Sequence, residues 1–369
     1  MITSTFSYHT LLLQKQLLTH SECICVLDAL HEYKEYRYGK GTVTYRLNIP
    51  GCRFLTRYTD SYHAVLEIIV NPMRLLQSPS FKTLFDPSKG SFWNVAVEFD
   101  AILRDLKIPL TFQDFTLQRL DLCADFSFDS PNEVDIYMKV IKKAKIPLYY
   151  ERDRFPDTME NSDGKNQHSF RIKSTGSMFT VYDKDYQMFD QKLQALDTDA
   201  KNVLRFELEL KRKTLRAIEK AYDIHSTVEL LDRITAEGIC EKYLSDFIDH
   251  LFPQGAYCSY ANAKTRVEEG LHGEKKRALC MDILRYATKC ETMDDVIQLL
   301  YKKCISLGRI ERCLGYFEAL GIQPITIPEA YLPQRDKAFC LPGIPELFHQ
   351  AMQKHIHADI GNDRAPLIS

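Results

Sequence analysis

The sequence contains no run of about 18 consecutive apolar residues, the length that a membrane-spanning helix requires. Its N-terminal stretch has no basic segment followed by an apolar core, so a secretory signal is not expected. These two absences predict a cytoplasmic protein without a membrane partner.

The cysteines also lack an ordered pattern. There are 11 of them, an odd number, and no two have the spacing C-x-x-C. This distribution indicates a reduced setting in which most thiols are small core residues. Cys23 and Cys25 are separated by one residue, and we interpret them as part of a buried strand and not as metal ligands.

An excess of charge of either sign is missing as well. The formal net charge is −2, so the whole chain has no basic field that would attract a nucleic acid. DNA binding would therefore depend on local basic clusters, although solvated helix faces also produce such clusters. The clusters are Lys142, Lys143 and Lys145; Arg152 and Arg154; Lys211, Arg212, Lys213 and Arg216; and Lys275, Lys276 and Arg277.

What is present is the composition of a folded globular protein, with 45% hydrophobic and 27% charged residues among 369. This length is enough for two domains of ordinary size. We predict an α+β domain over residues 1–225, with a mainly antiparallel sheet and flanking helices. A mostly helical domain with a loop-rich tail follows over residues 226–369, with the boundary near residues 222–230.

Hydrophobic periodicity places the elements. Alternating or β-rich stretches predict strands at residues 33–47, 63–70, 117–128, 168–173, 177–182 and 203–211, with a turn at 39–41 and a polar loop at 151–167. Helical spacing predicts helices at residues 92–106, 131–145, 185–196 and 214–222. Beyond the boundary, helices are predicted at residues 228–235, 239–251, 275–289, 293–306, 309–320 and 345–357.

Three of these strands carry charges on one face only. In residues 204–211, Arg205, Glu207, Glu209 and Lys211 alternate with apolar residues. In residues 119–125, Arg119, Asp121, Cys123 and Asp125 share one side, although Asp is disfavoured in strands. Glu67 is the single charge in the apolar strand 65–70. If these strands pair, three acids converge on one sheet face, namely Glu67, Asp121 and Glu207. In one alternative Asp125 joins them.

Clustered carboxylates repel one another and need a compensating positive charge. Arg119 and Arg205 would supply that charge in a purely structural interpretation. A cluster of carboxylate oxygens also suits Mg²⁺ or Mn²⁺, which bind phosphate oxygens as well. Both interpretations remain open from these residues alone.

Tyr182 and Lys184 lie where the strand 177–182 runs into a turn or helix. A phenol is a weak nucleophile at its ordinary pKa of about 10, and a neighbouring lysine favours the phenolate or neutralises a phosphate. The alternative is an ordinary surface Tyr-Asp-Lys in a chain with 20 tyrosines. Tyr186, four residues further on, is a candidate second nucleophile.

Five blocks of sequence occur in a characteristic order: residues 66–76 (LEIIVNPMRLL), 118–121 (QRLD), 130–133 (SPNE), 180–184 (TVYDK) and 204–207 (LRFE). In this order, over residues 60–225, the chain resembles the replication-initiation endonucleases of filamentous phages, the gene II product, and the related rolling-circle plasmid initiators. The resemblance implies the fold of those initiators. It also implies an enzyme that nicks one origin strand through a tyrosine, keeps the 5′ phosphate covalently bound and later rejoins the ends.

By the same resemblance, Tyr182 is the nucleophile with Lys184 beside it, and Asp121, Glu207 and Glu67 serve a divalent Mg²⁺ or Mn²⁺ ion. The implied partners are DNA, as a single-stranded or supercoiled origin, and a host helicase. The chain departs from these initiators in one motif. Many rolling-circle initiators hold metal through a strand with the pattern His-hydrophobic-His. The one such triplet here, at residues 355–357, continues a helical pattern near the C-terminus.

Two other functions fit the sequence. The first is a non-catalytic origin-binding or regulatory protein of a phage or plasmid with the same fold. The second is an unrelated α+β protein with a charged sheet face. The helices predicted over residues 293–320 form either a helix-turn-helix that reads the origin or plain helical packing. A shared pocket for the three acids and Tyr182 is the observation that separates these hypotheses.

Overall fold

The computed structural model describes residues 3–38, 42–47, 49–58, 63–76, 84–85, 91–153, 166–190, 201–332 and 338–362. The predicted turn at 39–41, residues 154–165 of the predicted polar loop, and residues 191–196 of a predicted helix lie outside this part of the chain. The same holds for the side chains of the triplet at 355–357. Within the described part, no helix has the length and apolar character needed to cross a membrane.

The centre of the molecule is a sheet of ten strands. They lie in the order β2-β3-β4-β5-β1-β6-β10-β9-β8-β7, and each neighbouring pair is antiparallel. The α+β fold with a mainly antiparallel sheet is therefore confirmed. The strands are β1 (Thr3–Leu17), β2 (Lys34–Tyr38), β3 (Thr42–Tyr45), β4 (Cys52–Tyr58), β5 (Ala64–Val70), β6 (Thr116–Ser127), β7 (Glu151–Arg152), β8 (Ser169–Lys173), β9 (Ser177–Asp183) and β10 (Val203–Lys211), with a separate pair, β11 (Tyr257–Cys258) and β12 (Cys340–Leu341).

Helices flank the sheet and make up most of the chain after β10. They are α1 (His20–Leu30), α2 (Pro72–Leu75), α3 (Phe92–Asp105), α4 (Pro131–Lys142), α5 (Lys184–Asp190), α6 (Arg212–Ala221), α7 (Thr227–Ala236), α8 (Ile239–Leu251), α9 (Tyr260–Gly270), α10 (Glu274–Lys289), α11 (Met293–Lys302), α12 (Leu307–Ala319) and α13 (Ile344–Asn362).

The two faces of the sheet have different environments. The apolar side chains of β10 lie under helices; α8 contacts β1 and β6, and α4 contacts β8 and β9. Phe348 of α13 packs its ring against Phe6, Phe126 and Phe206, with centroid distances of 5.7, 4.9 and 5.2 Å. Each fully buried Phe side chain contributes roughly 1.5–3 kcal/mol to stability. This packing fixes which face is core and leaves the charged residues of β6 and β10 on the other.

The strand predicted at Cys23 and Cys25 is wrong, because these residues lie in helix α1. The helix begins after Thr19, whose hydroxyl accepts the Glu22 N–H at 3.2 Å. Cys23, Val26 and Leu30 are buried at helical spacing, whereas Cys25 is exposed. The spacing of three and four residues therefore outweighs the local alternation.

One pair of cysteines is bonded. Cys258 of β11 and Cys340 of β12 form a disulfide across 82 residues of sequence. This pair was not predicted, since nothing in the spacing of the cysteines indicates which distant segments meet. Five of the nine free cysteines are buried, in keeping with small core residues.

The division into two domains near residues 222–230 stays a prediction. Hydrophobic packing is continuous across that position, since buried residues of α7 and α8 belong to the same cluster as those of the sheet.

The helix α9 was not predicted. Helices α11 and α12 contact each other and α10, with a short connection at 303–306; a role in reading DNA also stays a prediction.

Candidate functional site

A cavity of about 340 Å³ opens on the polar face of the sheet. Its wall is built by residues of five strands, β1, β6, β8, β9 and β10, and of helix α5. Three of the five residues predicted for the site line this wall, namely Asp121, Tyr182 and Glu207. The tyrosine and two of the three predicted acids thus share one pocket, whereas the nicking hypothesis expected all three acids there.

Strand register is what brings Tyr182 and Glu207 together. β10 lies between β6 and β9, so Glu207 is opposite Cys123 on one side and Thr180 on the other. Arg205 is opposite Tyr182. Residues two apart on a strand share a face, and all of these side chains therefore lie on the polar side. The Tyr182 hydroxyl donates a hydrogen bond of 3.1 Å to Oε2 of Glu207.

The environment of Tyr182 keeps its phenol protonated. The side chain is only 9% exposed. Burial raises the pKa of Tyr182 well above its ordinary value, and the negative charge of Glu207 raises it further. Attack on an electrophile would then need a base that takes the phenol proton, and Glu207 already accepts it in a hydrogen bond.

Arg205, opposite Tyr182 in the sheet, is held firmly in place next to Tyr182 and Glu207. It is fully buried and forms two hydrogen bonds of 2.6 Å with the carboxylate of Asp125. Such a bidentate pair compensates part of the cost of burying both charges. The positive charge of Arg205 also lowers the pKa of Tyr182, against the larger effect of burial. Asp125 therefore serves Arg205, and it does not line the cavity.

Asp121 is a buried acid with both a cation and an anion nearby. Arg119 donates two hydrogen bonds of 2.8 Å to its carboxylate and also lies 3.4 Å from Glu209. Even so, burial and then the charge of Glu207 raise the pKa of Asp121 to about 8. The charge of Arg119 thus does not compensate the negative charges of the neighbouring acids. The site therefore favours an additional cation or the protonation of an acid.

The donor set decides which kind of metal site is feasible. Within the described part of the chain, no three or more His, Cys, Asp or Glu side chains are grouped so that they could hold an ion. Mg²⁺ is commonly held by one or two carboxylates, with phosphate and water as its other ligands. Asp121 and Glu207 fit that pattern, because a divalent cation would relieve the repulsion that raises the pKa of Asp121.

Glu67 is not brought to the cavity. It lies on β5, where it accepts hydrogen bonds from Gln14 at 3.0 Å and from Arg57 at 3.1 Å. Gln14 in turn is opposite Thr116 on β6. Thr116 is separated from Asp121 by roughly 17 Å along the strand, at about 3.3 Å per residue. The carboxylate of Glu67 is therefore already paired, at a distance from the other two acids.

Lys184 lies behind Tyr182 and not in the cavity wall. It is the first residue of α5 and only 4% exposed, and its Nζ is 5.7 Å from the centre of the Tyr182 ring. Nζ donates a hydrogen bond of 2.7 Å to Gln187. Burial and then the charge of Arg205 lower the pKa of Lys184 to about 7, so its charge changes near neutral pH.

We expect Lys184→Met to be more stable than the native chain at pH 7, by on the order of a few kcal/mol, with a gain that disappears towards pH 10. The pKa of Lys184 falls from 10.5 to about 7 on folding. Between these values the unfolded chain holds a proton that the folded chain has released, so native stability rises with pH. Urea unfolding at several pH values measures this. The exposed Lys213→Met is the control, and a pH-independent gain would contradict the prediction.

His9 is a site residue that the sequence analysis missed. It falls at an irregularity of register between Tyr8 and Thr10 on β1, which turns its side chain towards the cavity. Its Nδ1 is 2.7 Å from Thr10 Oγ1, and its Nε2 is 3.0 Å from the Asn71 amide nitrogen. Burial and then the charge of Arg205 lower its pKa, so His9 is a neutral hydrogen-bonding group. Alternation alone cannot reveal a bulge.

Asn71 reaches His9 because the chain turns tightly at Gly51. The backbone N–H of Asn71 donates to the Gly51 carbonyl at 2.7 Å. Gly51 has φ +79°, and a Cβ there would come within 2.5 Å of the Leu75 nitrogen. Glycine is therefore required at this turn, and the Asn-Pro that ends β5 places an amide at the edge of the site.

The predicted basic clusters are partly used inside the protein. Lys142 Nζ donates to the carbonyls of Asn166 and Gln167, and Lys143 Nζ donates to the Ala287 carbonyl at 2.7 Å. Others are similarly engaged: Arg152 with the Lys142 carbonyl, and Arg212 with Glu219 at 2.6 Å. Lys213 and Arg216 of the same cluster are exposed.

Comparison of the sequence with protein-family models and with curated proteins finds no match. Among solved structures, the chain is similar to one described as a rolling circle replication initiator protein from Geobacillus stearothermophilus. The TM-score is 0.34 and the sequence identity 12%, over 68% of this chain and 86% of that one.

Proposed function

We propose that this protein nicks and rejoins one strand of DNA through a covalent bond between Tyr182 and a 5′ phosphate, as an initiator of rolling-circle replication. The observation that carries the proposal is the hydrogen bond of 3.1 Å from the Tyr182 hydroxyl to Glu207, inside a cavity that also contains Asp121. A nucleophile, a proton acceptor and a second acid are thereby held on rigid strands of one sheet.

The chemistry follows from these positions. Oη of Tyr182 attacks phosphorus, its proton passes to Oε2 of Glu207, and the bond from phosphorus to the 3′ oxygen breaks. The 3′ oxygen leaves as a hydroxyl after taking a proton from solvent. Rejoining is the reverse reaction. Because a phosphotyrosyl bond conserves the energy of the broken linkage, no nucleotide cofactor is required.

Asp121 and Glu207 are the residues that would hold Mg²⁺ or Mn²⁺, and such an ion would polarise the phosphate and neutralise charge in the transition state. The charges of the cavity wall support this assignment. Arg119 and Arg171 provide two positive charges, against the carboxylates of Asp121, Asp183 and Glu207. A phosphodiester entering such a wall needs further positive charge. We assign Glu67 no part in ion binding, since Arg57 and Gln14 already occupy it.

Incubation of the protein with supercoiled plasmid that carries DNA flanking its coding region tests the proposal. The expected products are nicked circles in the presence of Mg²⁺ and a protein–DNA adduct that survives denaturing electrophoresis. An adduct that forms equally well without divalent ion would contradict the metal assignment. If nicked circles form but no adduct does, the tyrosine mechanism is wrong.

Binding of single-stranded DNA should weaken as the salt concentration rises. The slope of log K against log salt concentration should correspond to only a few neutralised phosphates. The internal contacts of Lys142 and Lys143 predict that they add nothing to this slope. Replacing the exposed Lys213 and Arg216 by Ala should reduce the slope by about 0.7 for each phosphate that the variant no longer neutralises. Fluorescence anisotropy at several salt concentrations measures it, with Lys142→Met as the matched control. Binding that does not change with salt concentration would argue against a nucleic-acid role for this protein.

A further inference from the structure

Two aromatic rings are stacked in the wall of the cavity. The rings of His168 and Tyr186 lie with centroids 4.0 Å apart and planes 5° from parallel. Both residues line the same cavity as Tyr182 and the acid pair. His168 directly precedes β8, and Tyr186 belongs to the helix that follows β9, so the β8–β9 hairpin brings the two rings together.

Asp183 holds this stacked pair in place. Its Oδ2 is 3.4 Å from His168 Nδ1, and its Oδ1 accepts the backbone N–H of Tyr186 at 3.3 Å. The Asp183 N–H donates to the His168 carbonyl at 3.0 Å. The rings are thus ordered without a ligand, which lowers the entropic cost of binding to them. The side chain of His168 remains 33% exposed.

We propose that His168 and Tyr186 form a binding subsite for one nucleobase of single-stranded DNA, next to the phosphodiester that Tyr182 attacks. The inference rests on the proposed function for its substrate class. Every base has a π face, and bases stack on aromatic side chains with little dependence on sequence. At about 340 Å³, the cavity lies within the size range of pockets that enclose a whole small ligand and not a phosphate group alone.

This assignment also distinguishes Tyr186 from Tyr182. The hydroxyl of Tyr182 has a carboxylate acceptor in Glu207. For Tyr186, the interactions found in the described part of the chain are the ring stack on His168 and the backbone bond to Asp183. Tyr186 therefore orients the strand by its ring and does not attack phosphorus.

The experiment uses the full chain with Tyr182→Phe, so that the probe is bound and not cleaved. Two fluorescein-labelled probes are compared by anisotropy: a thymidine 12-mer and a 12-mer of the same backbone with abasic residues. The thymidine probe should bind about tenfold more tightly. Adding Tyr186→Leu should erase this preference without changing the affinity for the abasic probe, whereas Tyr186→Phe should retain it. His168→Leu is a second variant with the same expected loss.

A spectroscopic readout separates stacking from a structural role. In 12-mers with 2-aminopurine at each position in turn, fluorescence should be quenched most at one position, and Tyr186→Leu should remove that quenching. Three results overturn the subsite: equal affinity for the two probes, a preference that survives both leucine variants, or no binding of either probe.

Failure of the subsite can be distinguished from failure of the proposed function. If the chain with native Tyr182 forms the covalent adduct but no base preference exists, the subsite alone is overturned. If the base preference depends on Tyr186 but no adduct forms with any plasmid substrate, the subsite stands and strand transfer by Tyr182 is overturned.

Discussion

Tyr182→Phe should abolish strand nicking and the covalent adduct, by a factor of at least about 10³, while DNA binding is retained. Enzymes that lose their covalent nucleophile lose rate on this order or more. Phenylalanine keeps the ring and its packing, and it removes the oxygen that would attack phosphorus. Denaturing electrophoresis of protein with labelled DNA measures the adduct, and anisotropy measures binding.

The matched control for this variant is Tyr186→Phe, four residues away. It also removes one phenolic oxygen, but it keeps the ring that stacks on His168. It should form the adduct at close to the native rate. An inactive Tyr186→Phe beside an active Tyr182→Phe would mean that the nucleophile is misassigned. If both variants form the adduct at the native rate, neither Tyr182 nor Tyr186 is the nucleophile.

Glu207→Gln should slow adduct formation by about 10²- to 10⁴-fold, the usual contribution of a general base. The amide keeps the size of the side chain and still hydrogen-bonds to Tyr182, but it cannot take a full proton from the phenol. Asp121→Asn should instead raise the Mg²⁺ concentration needed for half-maximal nicking. Because Glu207 is also proposed to hold the ion, both variants should need more Mg²⁺, but only Glu207→Gln should stay slow at saturating Mg²⁺. Single-turnover rates measured over a Mg²⁺ titration separate these effects.

Glu209→Gln is the control for both acids. Glu209 lies on the same strand and the same face as Glu207, and it contacts Arg119 at 3.4 Å, but it does not line the cavity. This variant should nick at close to the native rate. If Glu209→Gln and Glu207→Gln are equally impaired, the acids act through the charge balance of the sheet and not through contact with the phenol. Native rates in all three variants would make the carboxylates purely structural.

Alternation within single strands predicted much of the site. In β10, charged residues occur at every second position, and in β6 they do so except at Cys123. The side of the sheet on which Asp121 and Glu207 lie therefore follows from local sequence. The hairpin of β8 and β9 was predictable in the same way, and with it the position of Tyr182 at a strand end. These properties depend on neighbours in the chain, which is why a single sequence is sufficient to predict them.

Register and long-range pairing were decided by the tertiary structure. Arg205 was predicted as a neutralising residue, and it does pair with a carboxylate, but with that of Asp125 and not with that of Asp121 or Glu207. Glu67 shares the polar face, yet its position on β5 places it beside Gln14. Which charges meet depends on how far each strand slides against its neighbour, and binary patterning does not specify that distance.

By itself, the sequence determined the α+β class, the antiparallel sheet and the polar face that carries Tyr182, because periodicity follows from the geometry of single strands and helices. The tertiary structure decided the bulge that turns His9 into the cavity and the stack of His168 on Tyr186. Each of these arises from packing between segments distant in sequence or from a local irregularity, and only the folded chain brings such residues together.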